Sequence, residues 1–400
     1  MKLPPLGKVI LVITAPLLFS GTLHASSNFF DDLQTLGNDR YVQSSLNASD
    51  FIDSITPPSQ RVSIPTDTFT MSPSLRDGLS HAARYLQSQN PNLSVAKRGV
   101  NISNRTLSQT LRALLEWNGD LAPESLHQEF DLLPLSNKQN QNSKFTGYYT
   151  PIIKAQAQPD SQYRYPIYRS PMGKQLRHMS RSQISNGALK NKGLEVAWTN
   201  DPIGLFYMQI QGSGVLEYSN GQRTSLTFDG SNEKPFRSLS HYMKRQGLMN
   251  GSMGRERMQK WLYSHPDHLD NAMNSNPRYV YFKPATKGAQ TASGMPIIPG
   301  HSVAVDTDFI PFGSVVLAEV PIINSKGQRL GAEWKILLPQ DRGTAIKGPA
   351  RMDIYTGKGE QARQSANQLT GSGRAYLLVN RPTTQLSQRE VNSNSNNSTL

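Results

Sequence analysis

A mainly β protein with several helices is the fold class the sequence predicts, and three observations carry that prediction. From Phe145 onward, short apolar runs recur between Gly- and Pro-containing breaks, the texture of a many-stranded barrel or sandwich. Upstream of that point, two runs repeat their leucines at helical spacing. At 400 residues the chain suffices for two domains, or one large one, around a sizeable core.

In chain order, Lys2 and Lys8 give a positive start ahead of an apolar run, Val9 to Phe19, and residues 20–25 are mostly small or polar. This pattern predicts a secretory signal peptide over 1–25, with Ala25 before the cleavage point. An uncleaved membrane anchor is the alternative, although Pro16 opposes a straight anchor helix. No later segment is apolar enough to cross a membrane, so the exported chain is expected to be soluble. Residues 26–70 have weak periodicity and form a poorly defined N-terminal segment.

Ser72-Pro73 is a helix start, and Leu75, Leu79, Ala82, Ala83 and Leu86 then recur on one helical face until Pro91. Leu107, Leu111, Leu114 and Leu115 mark a second helix ending at Asn118-Gly119. Strands are expected over 163–168, 205–211, 279–282, 302–305, 314–320, 334–338, 351–355 and 375–379. Helices are expected over 236–247 and 253–263. The tail from residue 384 is rich in Ser, Asn and Gln, a composition that predicts disorder.

Composition narrows the function. Apolar residues are 36% and charged residues 18%, so the surface must be rich in neutral polar groups. The net charge of +13 draws the chain to polyanions, either nucleic acid or an anionic envelope polymer. Its basic residues are scattered rather than blocked, and with the signal peptide this argues against nucleic acid. With no cysteine, disulfides, thiol catalysis, Cys metal sites and a cysteine-borne lipid anchor are excluded. The eight histidines lack metal-ligand spacing, so neither a metal nor a cofactor is expected. Gly357-Lys358-Gly359 imitates a dinucleotide fingerprint but lacks the downstream acid, and is better taken as a turn opening a helix.

Three segments carry candidate chemistry. The first is Phe145-Thr146-Gly147-Tyr148-Tyr149-Thr150-Pro151. It pairs aromatic faces with hydroxyls, which suits sugar rings but also suits a core strand. The second, Phe206 to Gly214, alternates as a strand would. Phe206, Met208 and Ile210 would share one face and Tyr207, Gln209 and Gln211 the other, either a carbohydrate wall or an ordinary solvent face. The third places Asp306 after an apolar strand, Asp341 before Arg342-Gly343-Thr344, and Asp353 between Met352 and Ile354. A carboxyl fixed on a strand suits acid catalysis, whereas Asp306 and Asp341 taken alone are ordinary turn residues.

Taken in order, FTGYYTP, MQIQGSG, VAVDxxxIPFGS and DRGTAIKG…MDIYTGKG resemble the membrane-bound lytic murein transglycosylase A family, with a C-terminal domain named for three aspartates. The resemblance covers about residues 145–379. It implies a double-psi β-barrel domain over 71–151 and 281–383, and a second, smaller β-barrel inserted over 152–280, with substrate between them. It implies that Asp353 is the essential catalytic residue and that Asp341 and Asp306 shape its site. Thr146, Tyr148, Tyr149, Gln209, Gln211, Gly212, Ser213, Lys347 and Tyr355 are then the expected substrate contacts. Peptidoglycan glycan strands are the implied partner, with unidentified cell-wall remodelling proteins beside them, and the location is the periplasm or outer membrane. Arg342 and Thr344 depart from the small residues common in the family. The implied reaction is transglycosylation to 1,6-anhydroMurNAc. Hydrolysis with Asp341 as second carboxylate is the chemical alternative, and a glycan-binding module without turnover is the other class.

Overall fold

The computed structural model describes residues 69–381, apart from 95–97, 137–141, 252–253, 286–289 and 325. The expected signal peptide, almost all of the N-terminal segment and the polar tail lie outside the described residues.

Three helices lead in: α1 (Pro73–Gln87), α2 (Asn104–Glu116) and the short α3 (Pro123–Leu126). The Ser72 hydroxyl accepts the Leu75 N–H, and Pro73 sits where no helical N–H bond is needed, so α1 starts where the sequence says. Leu75, Leu79, Ala82 and Leu86 are buried along its inner face. Ser103 caps α2 in the same way, and Leu107, Leu111 and Leu114 are its inner residues. Each such leucine contributes roughly 1.5–3 kcal/mol by leaving water.

Strands β1 (Phe130–Pro134) and β2 (Ser143–Thr150) follow, and at Pro151 the chain passes into a second sheet. That excursion comprises β3 (Ile152–Gln156), β4 (Tyr165–Tyr168), α4 (Lys174–Arg177), α5 (Arg181–Ser185) and β5 (Glu195–Thr199). It continues through α6 (Pro202–Gln211), β6 (Gly214–Glu217), β7 (Arg223–Ser231), α7 (Leu239–Arg245), α8 (Arg255–Ser264), α9 (Leu269–Asn274) and β8 (Val280–Pro284). The return adds β9 (Ser302–Ala304), β10 (Val316–Ile323), β11 (Arg329–Asp341), β12 (Arg351–Lys358), α10 (Gly359–Gln368), β13 (Thr370–Gly373) and β14 (Ala375–Asn380).

The first sheet has eight strands in the order β1-β14-β10-β11-β9-β12-β2-β13, and the second has six in the order β4-β5-β3-β6-β7-β8. Among the described residues the edge strands of neither sheet pair with each other. The fold is thus sheet-rich with several helices, as expected. Within the eight-stranded sheet, β12 runs parallel to β2 and antiparallel to β9, which sets Asp353 level with Thr146 on one side and Ala304 on the other. The helix α10 can lie on β2 only because Gly147 lacks a side chain: a Cβ there would come 2.7 Å from the Ala366 Cα. No helix among the described residues is long and apolar enough to cross a membrane.

One expectation fails outright. Residues 205–211 form the body of helix α6, not a strand. Asp201 caps its first turn by accepting the Gly204 N–H at 2.7 Å, Pro202 occupies the first position, and Gly212 ends it at φ 80°. The alternation misleads because α6 is buried on two sides. Ile203, Phe206 and Tyr207 pack against Leu239, Met243, Met258 and Leu262. Leu205 and Met208 pack against Ile153, Leu216 and Phe282. A helix enclosed this way shows no polar stripe, so its period is hidden.

Candidate active site

A cleft opens between the two sheets. Its floor is β12 and the end of β11, one wall is the 342–346 loop, and the other is α6 with Arg181, Arg255, Asn276 and Arg278.

Asp353 is on the floor. Met352 and Ile354, its strand neighbours, are buried in the core, so strand alternation turns Asp353 the other way, into the cleft. Its Oδ1 receives the Thr146 hydroxyl in a very short hydrogen bond. That same Thr146 oxygen accepts from Arg351 Nη2 at 2.8 Å. Arg351, Thr146 and Asp353 thus form a chain that fixes one carboxylate oxygen. No donor among the described residues reaches the other oxygen, Oδ2. Burial raises the Asp353 pKa above the ordinary carboxylate value, with Arg351, the Thr146 hydroxyl and Arg255 pulling it back down.

Asp341 lines the same cleft but is held differently. Its Oδ2 accepts the Tyr148 hydroxyl at 2.8 Å, and its Oδ1 accepts the backbone N–H groups of Arg342 at 2.9 Å and Ala292 at 3.1 Å. Burial is again the main cause of a raised pKa; these three donors oppose it, and the neighbouring Asp353 charge adds to it. The Tyr148 hydroxyl stays protonated well above its usual range because it is buried and faces Asp341. Both Asp341 oxygens are therefore engaged by donors, whereas Asp353 keeps an oxygen open to the cleft.

The remaining expected residues divide. Gln209 and Gln211 do line the cleft, from a helix rather than a strand. Gln211 also accepts the Tyr149 N–H at 3.0 Å, tying α6 to β2. Asp306 is buried beneath the loop, where its carboxylate accepts the Gly348 N–H at 2.9 Å, so it supports the wall without lining it. Tyr355 is buried, tilted against Tyr148 with ring centres 5.2 Å apart, and shares a hydrogen bond with Thr150. Tyr149 faces a second crevice behind β2, lined also by Asp201, Tyr263 and Arg363, with the Arg255 guanidinium 5.5 Å from its ring centre. Gly212 terminates α6, Ser213 follows it half-buried, and Lys347 is exposed; none of the three lines the cleft.

Sequence reasoning missed Arg181, Arg255, Asn276, Arg278 and Phe236, all cleft residues of the second sheet's side. No local pattern marks them, since folding alone brings them opposite β12. Among the described residues no cluster of His, Asp or Glu could hold a metal ion.

Comparison with known proteins agrees with this architecture. Residues 144–283 match the model for the MltA specific insert domain, and 301–379 match the 3D domain. The membrane-bound lytic murein transglycosylase A of Escherichia coli K12 is 34% identical over 246 residues, which span 60% of this chain and 67% of that protein. Its Vibrio cholerae counterpart is 32% identical over 242 residues, spanning 59% of this chain and 65% of that protein. The alignments thus cover about two thirds of these relatives' lengths. The crystal structure of E. coli MltA with bound chitohexaose superposes with a TM-score of 0.68 at 28% identity, covering 77% of this chain and 90% of that one. The Agrobacterium tumefaciens structure, at 24% identity and TM-score 0.65, shares the fold. The chain belongs to the membrane-bound lytic murein transglycosylase A family.

Proposed function

We propose that the protein is a peptidoglycan lytic transglycosylase that cleaves the MurNAc–GlcNAc β-1,4 bond with Asp353 as its single acid and base. The observation that carries this reading is the asymmetry of Asp353: one oxygen is fixed by Thr146 and the other faces the cleft between the two sheets. The relatives' names and the chitohexaose bound to the E. coli protein support the substrate class.

In the proposed reaction, protonated Asp353 gives its proton to the glycosidic oxygen as the C1–O bond breaks. The sugar cation that results is transient. The Asp353 carboxylate then takes the proton of the MurNAc C6 hydroxyl while O6 bonds to C1, giving 1,6-anhydroMurNAc without water. One carboxyl serves both steps because they are sequential. Asp341, held by three donors, orients Tyr148 and the 342–346 loop beside the bond. Hydrolysis is the second reading, favoured only by the presence of that second carboxylate.

On the same reading the eight-stranded sheet, with its parallel β2–β12 and β9–β11 ladders, is the double-psi barrel, and the six-stranded sheet is the inserted domain. The insert then extends to Pro284, since β8 pairs with β7, a little past the boundary at 281 expected from sequence. We also place the mature protein in the periplasm or at the outer membrane.

The test is digestion of purified sacculi, with mass spectrometry of the soluble fragments. Fragments ending in 1,6-anhydroMurNAc are expected, and none from Asp353→Asn. Fragments one water heavier would replace transglycosylation by hydrolysis. Binding without any fragments would leave a glycan-binding module.

A further inference from the structure

The cleft carries more positive charge than its acid chemistry uses. Five arginines line it against two carboxylates, Asp341 and Asp353. Arg351 and Arg255 are the two whose charge acts on Asp353. Arg181 and Arg278, on the α6 side of the cleft, form no ion pair with an acid among the described residues.

Their setting is that of a built site. Arg181 is 6% exposed and sandwiched between the rings of Phe206 and Tyr279, at 4.8 and 5.2 Å. Its Nε and Nη2 donate to the carbonyls of Asn276 at 3.0 Å and Arg278 at 2.7 Å, which leaves Nη1 uncommitted. Arg278 is half-buried, and its side chain makes one long bond, Nη1 to the Lys234 carbonyl at 3.4 Å. Burial lowers the pKa of both, Arg181 to about 10, with no nearby carboxylate to offset it. Gln209, in the same cleft and 4% exposed, donates to the Val280 carbonyl at 3.3 Å, while its Oε1 is buried without a donor. A buried acceptor and two partly desolvated cations on one wall await an anion with an N–H or O–H beside it.

We infer that the Arg181–Arg278 wall is a subsite for a carboxylate-bearing substituent of the glycan, with Gln209 accepting a hydrogen bond from the neighbouring amide or hydroxyl. The inference rests on the proposed glycan substrate. Two sources supply this chemistry: the lactyl carboxylate of peptide-free MurNAc, and the carboxylates of a stem peptide. Chitin oligomers carry neither.

Binding without turnover separates the possibilities. The full chain bearing Asp353→Asn is titrated calorimetrically with three ligands: chitohexaose, glycan oligomers stripped of peptide, and peptide-bearing oligomers. Adding Arg278→Gln should weaken a carboxylate-bearing ligand about tenfold and chitohexaose less than about twofold, as loss of a charged hydrogen bond predicts. Arg278→Lys should recover part of the loss. Loss with stripped oligomers identifies the lactyl group, and loss with peptide-bearing oligomers alone identifies the stem. Equal loss for all three ligands, or none, overturns the inference. Should Arg278→Gln not fold, the salt dependence of the unsubstituted wall decides instead: carboxylate-bearing ligands must weaken with salt and chitohexaose must not. Because these readouts need no turnover, failure to digest sacculi would count against the proposed reaction and not against this subsite.

Discussion

Replacing Thr146 by valine probes the acid catalyst without touching it. Thr146 is 1% exposed, and valine matches its shape, so no cavity follows. What disappears is one hydroxyl that donates to Asp353 and accepts from Arg351 Nη2. A hydrogen bond to a charged group is worth about 1.5–3 kcal/mol. Arg351 retains a bond to the Met352 carbonyl at 3.3 Å, which softens the loss at that end. A total loss of about 3 kcal/mol of stability is therefore expected, read as a lower urea midpoint. The catalytic consequence has a definite sign. The Thr146 hydroxyl lowers the Asp353 pKa, so its removal raises that pKa further. Activity that needs protonated Asp353 should then persist to higher pH. Its maximum should fall by about tenfold, because the carboxyl loses its fixed orientation. The assay is release of soluble fragments from sacculi across a pH series, with Thr146→Ser, which keeps the hydroxyl, as the restoring control. An alkaline limb that stays in place, or moves to lower pH, would refute the coupling between Thr146 and the titrating acid.

Asp353→Asn should reduce fragment release by at least about 10²–10⁴-fold. Its folded pKa is raised, so the group's contribution to stability is present below the usual carboxylate pKa and is lost as pH rises through the folded value. The asparagine protein should accordingly melt no lower than the parent at neutral pH, and the difference should vanish in acid. Gly147→Ala should cost about 1–3 kcal/mol in thermal or urea unfolding, since its Cβ meets the α10 backbone. An unchanged midpoint would show that α10 gives way without cost. Asp201→Ala removes the cap of α6 and the acceptor of the Tyr263 hydroxyl, and should cost about 1–2 kcal/mol. An unaltered urea midpoint would mean that packing alone holds the helix start.

Much of the first sheet was legible because its signals are local. Ser72-Pro73 and the leucine spacing define α1, and the Met352–Ile354 alternation correctly turns Asp353 away from the core. The helix opening at Gly359 was equally plain from its glycines. The α6 segment was misread because its apolar residues face two separate clusters, and period-two alternation survives by coincidence in so short a run. Asp201-Pro202 before the segment and Gly212 after it are the helix's own start and stop signals. Arg181, Arg255 and Arg278 could not have been found at all: each is one basic residue among many scattered ones, and its meaning comes from lining the same cleft as Asp353. Asp306 shows the converse, a residue singled out by its motif whose place is under the wall rather than in it.

The passage from β2 into the second sheet at Pro151 also orders events during synthesis. β2 lies between β12 and β13 in the finished sheet, and Lys144 pairs with Arg351. Neither neighbour has been translated when the whole excursion is already complete. β2 must therefore wait with both edges open, a hazard for strands that lack partners. The excursion shortens that wait in space if not in time. Its first strand β3 pairs with β6, β6 with β7 and β7 with its last strand β8, so its two ends are gathered into one small sheet. Closing the β2–β12 ladder then spans a compact unit instead of a loose chain of the same length, and the entropy of closure falls accordingly.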